Sequence, residues 1–271
     1  MIYSLNIVNS ICKIRNGNKK KYIENVKIKL NAHTLIKIIA IMKKLKSLKI
    51  LALIPARGNS KRIKNKNLRI VNGKPLIFWT IDSARRSKYI TNVTVTSDSS
   101  KILNVSKKYS VNGILRPKSM SGDVVHADMA LKHAYNTINE KFDYIVMLQP
   151  TCPLRTSKHI DEAIRKIHQN KKDSLLSVCK DSVFLWGQKL KSYKPLNYSL
   201  KKRPRHQDTN FYRENGSIYI TKPKILLLNN NRLGGKIDIY LMKKENSLDI
   251  DTLDDLKQAD LLVKKNKNAR Y

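Results

Sequence analysis

At 271 residues the chain is long enough to bury one large core, so a single domain with appendages is expected. It holds 55 Lys and Arg against 20 Asp and Glu, a formal charge of +35. Its three cysteines (Cys12, Cys152 and Cys179) form no C-x-x-C pair and indicate neither a disulfide framework nor a zinc site.

No apolar stretch reaches the length of a membrane span, so no membrane partner is expected. Residues 35–42 are apolar but short, broken by Lys37, and lack a cleavage-site pattern, so no signal peptide is expected. With so few cysteines, a reducing cytoplasm is the expected location. The positive charge runs from end to end instead of forming a stripe, and accompanies a surplus of Ile, Asn and Tyr. That pattern is compositional bias, and it predicts attraction of anionic substrates and only non-specific, salt-sensitive binding to nucleic acid.

Residues 1–48 are rich in Lys, Asn and Ile, with Glu24 as the only acid. They are expected to be a basic N-terminal extension, disordered or arising from an over-called start ahead of Met42. From Lys49 a βα rhythm sets in. Residues 49–54 (K-I-L-A-L-I) are an apolar run of the kind that makes a buried parallel strand, and Pro55 is expected to stop its ladder. Helices are predicted over 76–88, 99–109 (capped by Asp98 or Ser99), 126–139, 158–169 (capped by Ser157) and 252–264. Strands are predicted over 92–97, 111–115, 142–148, 174–179, 215–221 and 237–242, and Pro223 opens a short helix. The rhythm breaks over 180–212, which reads as an inserted arm or hairpin with the basic cluster Lys201-Lys202-Arg203-Pro204-Arg205-His206. The core is expected to span 49–264, with 265–271 a basic tail. This alternation predicts an α/β three-layer sandwich around a mostly parallel central sheet.

Three polar loops follow predicted strands. Arg57 to Asn67 offers cations, hydroxyls and Gly58, which lets successive N–H groups curl toward an anion. It lacks Walker spacing, and a solvated basic turn is the bland alternative. Gln149 to Arg155 (Q-P-T-C-P-L-R) is the second. The third, Asp249-Ile250-Asp251, puts two carboxylates two residues apart, on one side of an extended segment. Beside phosphates such a pair makes a Mg²⁺ site; taken alone, either Asp would simply cap the last helix.

The pieces I-P-A-R-G-N-S-K-R-I-K-N-K-N (54–67), S-D (97–98), L-R-P (115–117), L-Q-P-T-C-P-L-R (148–155), R-E-N-G-S-I-Y-I (213–220) and S-L-D-I-D-T (247–252) occur in order. Together they resemble the acylneuraminate cytidylyltransferases, over roughly residues 49–264. The resemblance implies a nucleotide-diphospho-sugar transferase fold. It also implies transfer of CMP from CTP to a nine-carbon 2-keto sugar acid, with Mg²⁺, by a homodimer whose arm reaches over the neighbouring site. By motif, Arg57, Ser60, Lys66 and Asn67 would hold the CTP phosphates, and Arg116 would lie by the cytosine and ribose. Gln149, Arg205 and Asn215 would face the sugar acid. Asp249 and Asp251 would hold Mg²⁺, and Asp251 would also take the hydroxyl proton. Arg57, Lys66 and Asp251 are thus the catalytic candidates.

Several positions depart from the family pattern. Lys64 stands where Pro is common, Asn59 where a second Gly is, and Cys152 where Ser is usual. Cys152 is expected to be a packing substitution. The sugar-covering region reads Arg232-Leu233-Gly234-Gly235 in place of a Phe pair, so legionaminic acid stands beside sialic acid as the substrate expectation. A cytidylyltransferase for deoxy-manno-octulosonate and a basic nucleic-acid-binding protein are the competing readings.

Overall fold

A strand apolar on both faces must be covered on both faces, and the first strand of the core meets that demand. β1 (Ile50–Pro55) buries its first five residues. Burial of a Leu such as Leu51 or Leu53, both fully covered, stabilises by about 1.5–3 kcal/mol. The computed structural model describes residues 43–120, 127–189 and 191–267. The expectations for residues 1–42, for the first residue of the 126–139 helix and for the last four residues lie outside these. The chain divides by its contacts into residues 1–44 and 45–271, and β1 opens the second unit.

The elements of that unit alternate as the periodicity predicts. A small hairpin of β2 (Ile70–Val71) and β3 (Lys74–Pro75) leads into α1 (Leu76–Arg85). Then come β4 (Asn92–Ser97), α2 (Ser100–Lys108), β5 (Asn112–Leu115), α3 (Ala127–Ile138), β6 (Tyr144–Leu148) and α4 (Ser157–Gln169). The second half holds β7 (Ser174–Asp181), the hairpin β8 (Trp186–Lys189) and β9 (Ser192–Pro195), β10 (Phe211–Thr221), α5 (Pro223–Asn229), β11 (Ile237–Met242) and α6 (Leu253–Lys267).

Seven strands form one sheet in the order β11-β7-β10-β6-β1-β4-β5. Four of its six pairings are parallel; only β10 runs antiparallel, to β6 and to β7. Leu51, Leu53, Ile145, Met147 and Tyr219 meet Leu131 and Ala134 of α3 on one face. A second cluster joins Leu76 and Trp79 of α1 to Leu154, Ile250 and Ala259 and Val263 of α6. This second cluster matters for function, because it anchors the segments that carry the first and last polar loops.

Local details differ from the sequence-based expectations. Pro55 does end the ladder, as its last paired residue opposite Thr96, and the difference lies one residue on, where the Ala56 N–H still donates to the Thr96 carbonyl at 2.9 Å. The cap of α4 is Thr156, one residue before Ser157. Its hydroxyl accepts from the His159 N–H while His159 Nδ1 accepts from the Thr156 N–H, which makes His159 structural. Ser99 precedes α2 without a side-chain cap bond, and Asp98 is engaged elsewhere. β10 begins at Phe211, four residues earlier than predicted, because residues 211–214 pair with β7 before the register shifts between Glu214 and Tyr219.

Candidate active site

The loop after β1 is bent back on itself by Asn67, whose Nδ2 donates to the Arg57 carbonyl at 2.9 Å. Gly58 is required for a reason the sequence did not disclose. Its N–H donates to Asp98 Oδ1 at 2.9 Å, and a Cβ there would lie 2.7 Å from Ser99 Cβ. Gly58 therefore serves close approach of the loop to the end of β4, and its N–H is taken by the Asp98 carboxylate and is not left for a bound phosphate. Asp98 also lies 3.7 Å from the Arg116 guanidinium, which is 6 % exposed. One carboxylate thus ties the first loop to the arginine after β5.

The first and last loops are joined by Lys66. Its Nζ donates to the Ile250 carbonyl at 2.6 Å and to Asp251 Oδ1 at 3.2 Å. Arg62 pairs with Asp251 Oδ2 at 2.6 Å. The middle loop meets the last through the Ile250 N–H, which donates to the Thr151 carbonyl at 3.0 Å. Gly216, at φ +69°, brings bare backbone against both: a Cβ would lie 2.9 Å from Gln149 Oε1 and 3.4 Å from Asp249 Oδ2.

The result is a single cleft of about 330 Å³. Eight of the ten residues singled out from sequence line it: Arg57, Ser60, Lys66, Asn67, Arg116, Gln149, Asp249 and Asp251. It lies at the C-terminal ends of β1 and β6, where open α/β sheets receive ligands. Neither Asp249 nor Asp251 caps α6. Thr252 and Asp255 do so reciprocally, the Asp255 N–H donating to Thr252 Oγ1 and the Thr252 N–H to Asp255 Oδ2. Neither cleft carboxylate is therefore spent on the helix end; Asp251 instead meets Lys66 and Arg62. Burial, reinforced by the negative charge of Asp251, raises the Asp249 pKa above the usual carboxylate range, against the pull of a hydrogen bond from Thr151.

Two expected residues lie elsewhere. Asn215 was expected to face the sugar acid, but it is 1 % exposed and points into the core. Its Oδ1 accepts from Ser177 Oγ at 2.6 Å, and its Nδ2 donates to Ser247 Oγ at 2.9 Å, so its amide is fully engaged in joining β10 to β7 and to the segment before Asp249. Arg205 lies at the base of the arm, exposed and paired with Asp208 at 2.8 Å, and does not line the cleft of its own chain. Cys152 is buried, and burial beside Asp249 pushes its thiol up to about 12. It is a protonated packing group that donates to the Asn215 carbonyl at 3.5 Å. Sequence reasoning missed Asp98, Thr151, Gly216 and Arg62. Asp98 and Gly216 sit inside the S-D and R-E-N-G motifs, whose spacing was the available signal.

Cationic and acidic loops thus meet at the carboxyl edge of an open α/β sheet, the edge at which proteins of this fold class receive their ligands. Solved structures of similar fold include a CMP:2-keto-3-deoxy-manno-octonic acid synthetase complexed with CTP. Its TM-score is 0.64 at 14 % identity, over 80 % of this chain and 99 % of that one. The 4-diphosphocytidyl-2C-methyl-D-erythritol synthase of Anaerococcus prevotii is similar as well, with a TM-score of 0.59 at 13 % identity. The sequence model of the family described as Cytidylyltransferase matches residues 51–271, and the chain belongs to that family.

Among its relatives, the N-acylneuraminate cytidylyltransferase of Escherichia coli is 32 % identical, over 82 % of this chain and 54 % of the relative. The CMP-N,N'-diacetyllegionaminic acid synthase of Legionella pneumophila is also 32 % identical, over 82 % of this chain and 99 % of the relative. The pseudaminic acid cytidylyltransferase of Campylobacter jejuni is 28 % identical, over 83 % and 100 %. The chain thus spans about half the length of the E. coli relative and nearly all of the other two. Among the described residues no helix is long and apolar enough to cross a membrane.

Proposed function

We propose that this chain transfers CMP from CTP to the anomeric hydroxyl of a nine-carbon 2-keto sugar acid and releases pyrophosphate. The observation that carries this reading is the meeting of Arg57, Lys66 and Arg116 with Asp249 and Asp251 in one cleft. Such an arrangement suits phosphoryl-type transfer, which needs positioning and charge neutralisation more than covalent catalysis. The sugar's hydroxyl oxygen forms a bond to the α-phosphorus while the bond to the bridging oxygen breaks, and pyrophosphate departs with that electron pair. The hydroxyl proton leaves to Asp251. Arg57, Ser60, Lys66 and Asn67 hold the triphosphate, with Lys66 and Arg57 neutralising the charge that builds on the departing group. Arg116 is the residue beside the cytidine, and Gln149 orients the sugar acid.

Mg²⁺ fits the donor set. Burial and mutual repulsion make Asp249 costly to ionise, a cost that a divalent cation would relieve. Among the described residues no group of three or more His, Cys, Asp and Glu side chains forms a protein cage. Two carboxylates completed by phosphate oxygens and water are the usual Mg²⁺ arrangement. Asp249 and Asp251 would hold the ion, and it would supply neutralisation of the triphosphate.

The active assembly is proposed to be a homodimer in which the arm carries Arg205 to the partner's cleft, where its guanidinium would pair the substrate carboxylate. In support, Trp186, Tyr193, Leu196 and Leu200 on or beside the hairpin are all more than half exposed in the single chain. A reducing cytoplasm is the proposed location, in keeping with the free, buried Cys152 and Cys179.

The test is pyrophosphate release from CTP with sialic, legionaminic, pseudaminic and 3-deoxy-manno-octulosonic acids. Release with a nine-carbon acid, dependent on Mg²⁺, is expected. Release only with the eight-carbon acid, or with none of them, overturns the reading.

A further inference from the structure

Arg155 is the largest fully buried side chain of the described residues, at 0 % exposure, and no step of the proposed transfer uses it. An arginine taken out of water needs its donors matched with acceptors, because desolvation of the cation is costly. The bonds it makes are informative. Its Nη1 donates to the Gln149 carbonyl at 3.2 Å and to the Ser217 carbonyl at 2.8 Å, and its Nη2 donates to Thr80 Oγ1 at 2.6 Å. Thr80 Oγ1 in turn donates to the same Gln149 carbonyl at 3.3 Å. One planar group therefore spans α1, the loop after β6 and the bulged part of β10.

Each acceptor is one step from the cleft. Gln149 lines it. Ser217 follows Gly216, whose backbone presses against Gln149 Oε1 and Asp249 Oδ2. Thr151, two residues beyond Gln149, receives the Ile250 N–H and so fixes the segment that holds both carboxylates. By contrast, Asn67 holds the Arg57 carbonyl within the first loop, and the Gly58 N–H and the Arg116 guanidinium meet at Asp98.

We infer that Arg155 is a positioning residue for the side of the cleft formed by the second and third loops, clamping Gln149 and, through Thr151, setting the depth of Asp249 and Asp251, while Asn67 and Arg116 keep their own supports. A lysine cannot replace it, because an ammonium has no planar fork to span three acceptors on three elements. The kinetic consequence rests on the cytidylyltransferase reading; the structural consequence does not.

The experiment uses the full chain as wild type, Arg155→Lys and Thr80→Val, the last being near-isosteric and removing one hydroxyl beneath the same carbonyl. In hydrogen exchange, the Ile250 amide is expected to exchange at least about tenfold faster in both variants, while the Ala56 amide, bonded to Thr96 across the cleft, is unchanged. In turnover, KM for the sugar acid is expected to rise about tenfold in Arg155→Lys and about threefold in Thr80→Val, with CTP affinity by calorimetry in the absence of Mg²⁺ held within about twofold. Unchanged Ile250 exchange in Thr80→Val overturns the clamp, as does loss of Ile250 and Ala56 protection together. If Arg155→Lys does not fold, Thr80→Val alone decides. A wild type that turns over no sugar acid defeats the functional reading only, and exchange then decides the clamp by the same criteria.

Discussion

The cleft and the arm are built on opposite principles. In the cleft, polar groups far apart in sequence bind one another: Lys66 reaches Ile250 and Asp251, Gly58 reaches Asp98, Arg155 reaches Thr80 and Ser217. In the arm, the contacts stay within one short stretch of chain. Arg205 pairs with Asp208 three residues on, β8 pairs with β9 across a short turn, and Arg203 lies over Phe184 and Tyr198. Much apolar surface there remains in water. A region held by long-range bonds is fixed by the fold of its own chain. A region held by local contacts, with exposed Trp and Tyr, has its geometry completed by whatever covers it.

The sharpest way to break this contrast is to remove a charge from the cleft. Asp251→Asn is expected to lower turnover by about 10²–10³-fold while CTP still binds, measured by pyrophosphate release and calorimetry. Near-normal turnover would remove the metal assignment. Lys66→Ala deletes a charge-assisted donor worth about 1.5–3 kcal/mol, so kcat/KM for CTP should fall roughly ten- to a hundredfold. An unchanged value would take Lys66 out of phosphate binding.

Below the cleft, Asn215→Ala leaves Ser177 and Ser247 without their partner. It should cost about 1–3 kcal/mol of stability in urea titrations at unchanged m-value. A loss of sugar-acid affinity with no loss of stability would restore Asn215 to the substrate.

A smaller effect follows from Asp249. Its folded pKa is raised, so the folded chain binds a proton more tightly than the unfolded one. The favourable contribution is full below the ordinary carboxylate pKa of about 4, declines as pH rises through the folded pKa, and is absent above it. Saturating Mg²⁺ requires the ionised form, so it should raise the thermal midpoint more at pH 8 than at pH 4. An equal rise at both would separate the ion from Asp249. The smallest effect on the core is expected from the arm. Trp186→Ser with Tyr193→Ser should convert a dimer to a monomer in sedimentation while changing the monomer's unfolding free energy by under about 0.5 kcal/mol. A dimer that survives both changes would place the interface elsewhere.

The contrast also explains what the sequence could disclose. Strands such as Ile50–Ile54 and Ile145–Leu148 were legible because burial on both faces leaves an unbroken apolar run. The cleft was legible through its chemistry: a basic loop and a D-x-D pair mean something together that neither means alone. Orientation was harder. Alternation alone cannot say that a bulge after Glu214 turns Asn215 inward. Composition also favours Asp as a helix cap until Thr252 and Asp255 are seen to form the capping pair. Arg155 was visible within L-Q-P-T-C-P-L-R, but burial of an arginine is a tertiary fact with no local signature.

The central claim is that one cleft grips a nucleotide triphosphate between the loop after β1 and the Asp249–Asp251 segment. Crystals grown with CTP and Mn²⁺ in place of Mg²⁺ test it most directly through the anomalous signal of the metal. The account predicts an anomalous peak against Asp249 and Asp251, with triphosphate density on Arg57, Ser60 and Lys66. A peak away from both carboxylates, or CTP bound outside this cleft, would contradict it.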